Sequence, residues 1–159
     1  MSQISAVLDL LQQIHPKTMR DVGKGFGKYG FLVHEYFGNP TAVRPNPRRM
    51  LREQSTVVID AVESNHFYMW PLDHIYRKIY WEGWSNYSNH SRTMILFMWT
   101  FLSTSTRRME PTVVHWFLSR DSILLVTTPK DWFKQAAIHE NPDEEHKSYW
   151  APEDFKQFG

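Results

Sequence analysis

The stretch TMILFMWTFLSTST, residues 93–106, is the longest uncharged run of the chain and lies between Arg92 and the pair Arg107 and Arg108. Its apolar residues cover every side of a helix, and such a helix is buried on all sides, in protein or in lipid. Its length as a helix would be about 21 Å, against roughly 30 Å for the hydrocarbon core of a bilayer. The stretch therefore predicts a membrane span, a helix buried in a soluble domain, or a buried strand.

The surroundings of this stretch favour the membrane. Residues 83–91 carry no formal charge, Trp81 and Trp84 precede the stretch, and two arginines follow it. Aromatic side chains and snorkelling arginines stabilise the ends of a short span at the level of the headgroups. A membrane helix is therefore expected near 84–106.

The composition narrows the functional classes. A net charge of +1 argues against a nucleic-acid binder that depends on bulk electrostatics. The absence of cysteine excludes disulfides, thiolate catalysis and cysteine-based zinc sites. Aromatic residues make up 15% of the chain, which suits extensive interfaces with lipid or protein.

Charge divides the chain into three segments. Residues 1–54, the N-terminal helix and basic arm, hold 8 basic and 4 acidic residues. The central hydrophobic region, 55–128, holds 6 of each, and the aromatic-rich tail, 129–159, holds 4 basic and 7 acidic residues. The two ends are therefore expected to face different surroundings.

The first segment begins with a predicted amphipathic helix over residues 2–14, because Ile4, Val7 and Leu11 follow the spacing of one helix face. The run GKGFGKYG, residues 23–30, lacks the ending of a phosphate-binding Walker A loop. We also interpret the run as not matching the GxGxxG loop that follows a strand in nucleotide-binding proteins. A flexible basic connection is expected there.

A basic arm follows at residues 43–53, where two prolines keep the chain extended. The arm is predicted to lie on an acidic partner or on lipid headgroups, with RNA less favoured by the charge balance, or to be a solvated loop. Its four cations are Arg44, Arg48, Arg49 and Arg52.

Three further segments flank the central stretch. Residues 55–62 allow a strand or the start of a helix, and residues 73–84 predict a helix. Residues 112–128 contain two β-rich runs separated by a polar triplet, which predicts a hairpin. A helix packed on that hairpin would make a compact α+β core without a membrane.

The sequence assigns no catalytic, cofactor-binding or metal-binding residue. His139 and His146 lie near acidic residues, but Pro142 keeps the two groups off one helix, and no HExxH motif is present. His115 with Ser119 and Asp121 lacks the context of a nucleophile elbow. No cofactor is therefore expected.

The approach YRKIYWEGW (76–84), the short span, the arginine pair at 107–108 and the acidic tail at 132–158 form one layout. It resembles the single-span supernumerary subunits of mitochondrial inner-membrane complexes, of the respiratory chain or ATP synthase. The resemblance implies a subunit that carries no redox centre and holds its neighbours together.

The expected protein is mainly α and serves as a non-catalytic structural or assembly subunit in the mitochondrial inner membrane, with other subunits and lipid as partners and no nucleic acid. The alternative is a small soluble α+β domain in the cytoplasm that binds a small molecule or a protein in an aromatic-lined pocket. An enzyme is a less favoured alternative. The residues expected to contact partners or lipid are Arg44, Arg48, Arg49, Arg52, Trp81, Trp84, Trp99, Arg107, Arg108, Trp132 and Trp150.

Overall fold

The fold is mixed α/β, with a five-stranded parallel sheet at its centre. The prediction of a mainly α protein is therefore wrong. In a computed structural model, the residues described are 3–37, 55–68, 72–81, 114–116, 118–119, 123–128, 131, 133–137 and 145–158, together with the backbone of 95–99.

The described elements alternate between helix and strand at the start of the chain. Helix α1 precedes strand β1, and helix α2 connects β1 to β2. The strands stand in the order β3-β2-β1-β4-β5, and each pairs in parallel with its neighbours. Their bounds are α1 Ile4–Ile14, β1 Thr18–Val22, α2 Lys28–Phe37, β2 Val58–Val62, β3 Lys78–Tyr80, β4 Ile95–Trp99 and β5 Leu124–Thr127.

The central stretch supplies a strand rather than a helix. Ile95–Trp99 is β4, which pairs with β1 on one side and with β5 on the other. A parallel strand inside a sheet is covered on both faces, so its sequence is apolar throughout, like that of a fully buried helix. The helix predicted near 84–106 is therefore wrong at 95–99, and the rest of that range lies outside the described residues.

In the described part of the chain, no helix combines the length and the apolar character needed to cross a bilayer.

Two other predictions around the centre are also wrong. The helix predicted at 73–84 is a turn at 73–75 followed by β3, which pairs with β2. The hairpin predicted at 112–128 is absent from the described residues there, because 114–116 are helical and β5 pairs in parallel with β4. The alternative of a strand at 55–62 is confirmed by β2.

One face of the sheet packs against α1, α2 and the segment 72–76. The helix predicted at 2–14 is confirmed as α1, and its buried stripe faces the sheet as the spacing requires. His34 Nε2 donates to the Ile75 carbonyl oxygen at 2.7 Å and so fixes α2 to the segment 72–76. The buried residues of this core are Val7, Leu11, Met19, Tyr29, Val33, Val57, Ile59, Ala61, Leu72, Ile75 and Tyr76.

The opposite face packs against the end of the chain. Val22 and Val62 contact Trp150, which is 4% exposed, and Phe155 and Phe158 from a 3-10 helix at Pro152–Phe158 pack beside them. Three aromatic residues of the tail therefore cover the sheet of their own chain. This burial removes several large apolar surfaces from water.

An ion cluster on this second face joins β1 and β2 to Arg77, an exposed residue directly before β3. Asp60 of β2 accepts hydrogen bonds from Arg77 Nε at 2.9 Å and Arg77 Nη2 at 2.5 Å. Arg20 of β1 stands opposite Asp60 in the register, with its Nη2 at 3.8 Å from the carboxylate. Asp60 and Arg20 are both buried, so the carboxylate provides the charge balance that a buried guanidinium needs.

Substitution of Asp60→Asn tests this cluster. The change removes the negative charge beside the buried Arg20 and is expected to lower the free energy of unfolding by about 3 kcal/mol. Urea unfolding at neutral pH measures the difference. Asp9→Asn on the exposed side of α1 is the matched control and is expected to change it by less than about 0.5 kcal/mol. Equal stability of the two variants would contradict a structural role for the cluster.

Candidate functional site

The parallel strands bring their carboxyl ends to one edge of the sheet. Along the chain, the connections that follow β1 and β2 pack on the first face through α2 and the segment 72–76. The connection between β4 and β5 packs on the second face through Trp116. The strand order therefore reverses between β1 and β4. Open parallel sheets bind ligands beyond the carboxyl ends of their strands at such a point, and we call this place the crevice.

A glycine loop lines this crevice. Residues 23–27 connect β1 to α2, and the φ angles of Gly23, Gly25 and Gly27 are 70°, 50° and 77°. These are left-handed conformations that glycine adopts with little strain. The Gly23 N–H donates to the Val62 carbonyl oxygen at 2.9 Å, which fixes the start of the loop beside the end of β2.

Two glycines of this region have different surroundings. A Cβ atom built on Gly25 meets no atom within 4 Å, so the loop backbone is open to a ligand there. A Cβ atom built on Gly30 would lie 2.6 Å from Tyr76 Oη and 2.7 Å from Ile75 Cγ2, so glycine allows α2 to approach the segment 72–76. Nucleotide-binding loops use glycines for both purposes.

The interpretation that residues 23–30 do not match a GxGxxG loop after a strand is wrong. Gly25, Gly27 and Gly30 have the spacing GxGxxG, and the loop directly follows β1 and opens α2. The sequence predicted no strand at residues 18–22, so the context that gives the motif its meaning was missing. The string TMRDV at 18–22, with Met19 and Val22 as its apolar residues, gave little sign of a central strand.

An acidic residue lies in the crevice at the carboxyl end of β2. Glu63 follows the last residue of β2 and is 6% exposed. Its Oε2 accepts the Gly25 N–H at 3.0 Å, and its Oε1 accepts the Asn65 N–H at 2.9 Å. A carboxylate at this place can hold two donors together, as the adjacent hydroxyls of a ribose require.

A second carboxylate lies beneath the loop. Asp21 Oδ2 accepts a hydrogen bond from Tyr76 Oη at 2.6 Å. Burial raises the pKa of Asp21 to about 6, and the neighbouring Glu63 adds to this, while Tyr76 and Lys24 act in the opposite direction. Near neutral pH the floor of the crevice therefore carries negative charge.

One ammonium group lies among these carboxylates. Lys24 is 4% exposed, and its Nζ donates to the Tyr68 carbonyl oxygen at 2.8 Å and to the Gly25 carbonyl oxygen at 3.1 Å. Burial lowers the pKa of Lys24, while the carboxylates of Glu63 and Asp21 raise it. The Nζ atom also lies 4.9 Å from the centroid of the Trp81 ring, a cation–π distance.

Aromatic rings form the rim of the crevice. Phe26 of the glycine loop is 69% exposed and contacts Tyr68 edge-to-face at 4.9 Å. Phe67, beside Tyr68, is 60% exposed. His66 stacks on Trp81 with their ring centroids 5.5 Å apart. The exposed rings offer flat apolar surfaces at the entrance, which suit a planar ligand.

The structure places three of the predicted contact residues. Trp81 lies at the rim of the crevice, Trp150 is buried against the sheet, and Trp99 ends β4. Among the residues described, no three histidines or carboxylates are grouped so that they could hold a metal ion. The predicted residues outside the described part are Arg44, Arg48, Arg49, Arg52, Trp84, Arg107, Arg108 and Trp132.

The crevice also contains residues that the sequence assigned to no site. Asp21, Lys24 and Glu63 come together because β1 and β2 are parallel neighbours in register. Comparisons with protein-family models, with curated proteins and with solved structures gave no match. The function is therefore inferred from the crevice itself.

The raised pKa of Asp21 predicts a pH dependence of stability. The folded chain holds this proton up to about pH 6, whereas the unfolded chain loses it near pH 3.8. The contribution of Asp21 to the free energy of unfolding therefore falls by about 3 kcal/mol as the pH rises from about 4 to 7. Asp21→Asn has no proton to lose, and its amide oxygen can still accept the Tyr76 hydroxyl.

Urea unfolding at several pH values checks this. The stability of Asp21→Asn relative to the wild type is expected to increase through that pH range, and Asp73→Asn, at an exposed position, is expected to follow the wild type. A constant difference between Asp21→Asn and the wild type would show that Asp21 ionises as freely in the folded chain as in the unfolded one.

Proposed function

We propose that the crevice binds the cofactor S-adenosylmethionine and that the chain is the cofactor-binding domain of a methyltransferase. The observation that carries the proposal is the position of Glu63. This carboxylate directly follows β2, accepts the Gly25 N–H and lies at the carboxyl edge of the sheet, on the strand next to β1, where the strand order reverses toward β4. The proposal develops the alternative of a small-molecule domain with an aromatic-lined pocket.

The residues of the crevice fit a nucleoside. Glu63 would accept hydrogen bonds from the two ribose hydroxyls in place of the Gly25 and Asn65 N–H groups. A Cβ atom built on Gly25 meets no atom within 4 Å, so there is room beside the loop for the sugar. The exposed rings of Phe26 and Phe67 stand at the rim, where a purine base can stack.

The charges of the crevice distinguish between nucleoside cofactors. Asp21 and Glu63 contribute two carboxylates near the loop, and Lys24 balances one of them. A pyrophosphate would bring further negative charge to this place, which Coulomb repulsion disfavours. S-adenosylmethionine bears a positive sulfonium next to its ribose, while the ammonium and the carboxylate at its amino acid end cancel, so its net positive charge complements the carboxylates of the crevice.

When bound, S-adenosylmethionine supplies an electrophilic methyl group for transfer to a nucleophile. Asp21 and Glu63 lie where they favour the cationic form of the cofactor. By Coulomb attraction, the two carboxylates would hold the cationic cofactor more strongly than its neutral thioether counterpart.

A dinucleotide is the second candidate. The GxGxxG spacing of Gly25, Gly27 and Gly30 and the start of α2 directly after the loop are features of sites that bind a pyrophosphate at a helix N-terminus. The acidic floor of the crevice opposes this ligand. Placement in the mitochondrial inner membrane and assembly with other subunits stay predictions.

Isothermal titration calorimetry of the full chain with S-adenosylmethionine, S-adenosylhomocysteine and NAD⁺ tests the proposal. We expect saturable binding of the first two ligands. Glu63→Gln keeps the shape of the side chain but loses its charge and one acceptor, so the Kd for S-adenosylmethionine is expected to rise at least about tenfold.

Glu35→Gln, at an exposed position of α2, is the matched control and is expected to leave the Kd unchanged. Binding of NAD⁺ alone would favour the dinucleotide. Absence of binding of all three ligands to the wild type would overturn the proposed function.

A further inference from the structure

The carboxylate that the ligand needs is already engaged within the chain. Glu63 is buried under hydrogen bonds from the N–H groups of Gly25 and Asn65. Lys24 reaches from the glycine loop to the carbonyl oxygen of Tyr68, in the turn that follows β2. Both connections run between the same two segments, so Lys24 helps to hold the loop against the turn over the end of β2.

The side chain of Lys24 is buried, although it belongs to a loop. Lys28, four residues later, is exposed. Lys24 instead has two carbonyl oxygens, the face of the Trp81 ring and two carboxylates as partners. These contacts offset the desolvation of its ammonium group, which is otherwise costly. The ammonium is therefore a built-in cation of the crevice.

We propose that Lys24 is a specificity-determining residue of the crevice: its ammonium group takes the place of the ligand's cation near Glu63, and a cationic ligand binds by displacing it. This inference rests on the proposed function. Displacement breaks the bond to Tyr68 and separates the loop from the turn, so the opening of the crevice and the exchange of cations occur together.

Because of this exchange, Lys24 affects the affinity for cationic and for neutral nucleosides differently. A nucleoside with a positive charge beside its ribose competes directly with the ammonium, because both need the same carboxylates. A neutral nucleoside leaves the ammonium in place and competes only for the hydrogen bonds of Glu63. Removal of the charge of Lys24 should therefore favour S-adenosylmethionine much more than 5′-methylthioadenosine, its neutral thioether analogue.

Calorimetry on Lys24→Met and Lys24→Gln measures this difference. Methionine has a similar length without a charge, and glutamine can still donate a hydrogen bond to the Tyr68 carbonyl oxygen. Both variants are expected to lower the Kd for S-adenosylmethionine by about tenfold and to change the Kd for 5′-methylthioadenosine by less than about threefold. Lys28→Met is the matched control and is expected to match the wild type with both ligands.

Thermal unfolding first establishes which variants are folded. If Lys24→Met does not fold, Lys24→Gln is used for the comparison. Unchanged or weaker binding of S-adenosylmethionine in a folded variant would overturn the role of Lys24 and leave the proposed function intact. An equal gain in affinity for 5′-methylthioadenosine would also overturn the role of Lys24. The side chain of Lys24 would then act by blocking the site rather than by its charge. Binding to the variants without binding to the wild type would support the role of Lys24 while overturning the proposed function of the natural chain.

Discussion

The parallel pairing of β1 with β2 on one side and with β4 on the other is the constraint on which the site depends. Parallel strands end at the same edge, so the glycine loop after β1 and Glu63 after β2 meet there although Gly25 and Glu63 are far apart in sequence. The register fixes this meeting, because Val22 stands opposite Val62 and the next residues leave the sheet side by side. A shift by one residue would turn Asp21 and its neighbours to the opposite face.

The two charged clusters of the sheet differ in how their charges are balanced. On the second face, Asp60 lies between Arg20 and Arg77, and the cluster joins β1 to β2 and to the start of β3. At the carboxyl edge, two carboxylates share one ammonium, and burial raises the pKa of Asp21. The first arrangement stabilises the strands that position the second. The second leaves unbalanced negative charge in a partly enclosed place, which is a property of binding sites more than of structural cores.

The sequence predicted those elements that a pattern of apolar residues within a short segment identifies. The spacing of apolar residues identified α1 because one face of that helix packs on the sheet and the other meets water. The same rule failed for Ile95–Trp99, since a strand covered on both faces has no alternation. Asp21 and Glu63 could not be recognised as a pair without the strand order, whereas the spacing of Gly25, Gly27 and Gly30 was visible in the sequence and became meaningful only with β1 ahead of it.

The central claim is that a nucleoside binds between the glycine loop and the end of β2, and nuclear magnetic resonance of the ¹⁵N-labelled chain tests it most directly. Titration with S-adenosylmethionine is predicted to shift the amide signals of Gly25 and Asn65, whose N–H groups the ligand must release from Glu63. The amide of Val58, at the amino end of β2, donates to Lys17 and is predicted to stay unchanged. Unmoved signals of Gly25 and Asn65, or shifts confined to the Val58 end of the sheet, would contradict the account.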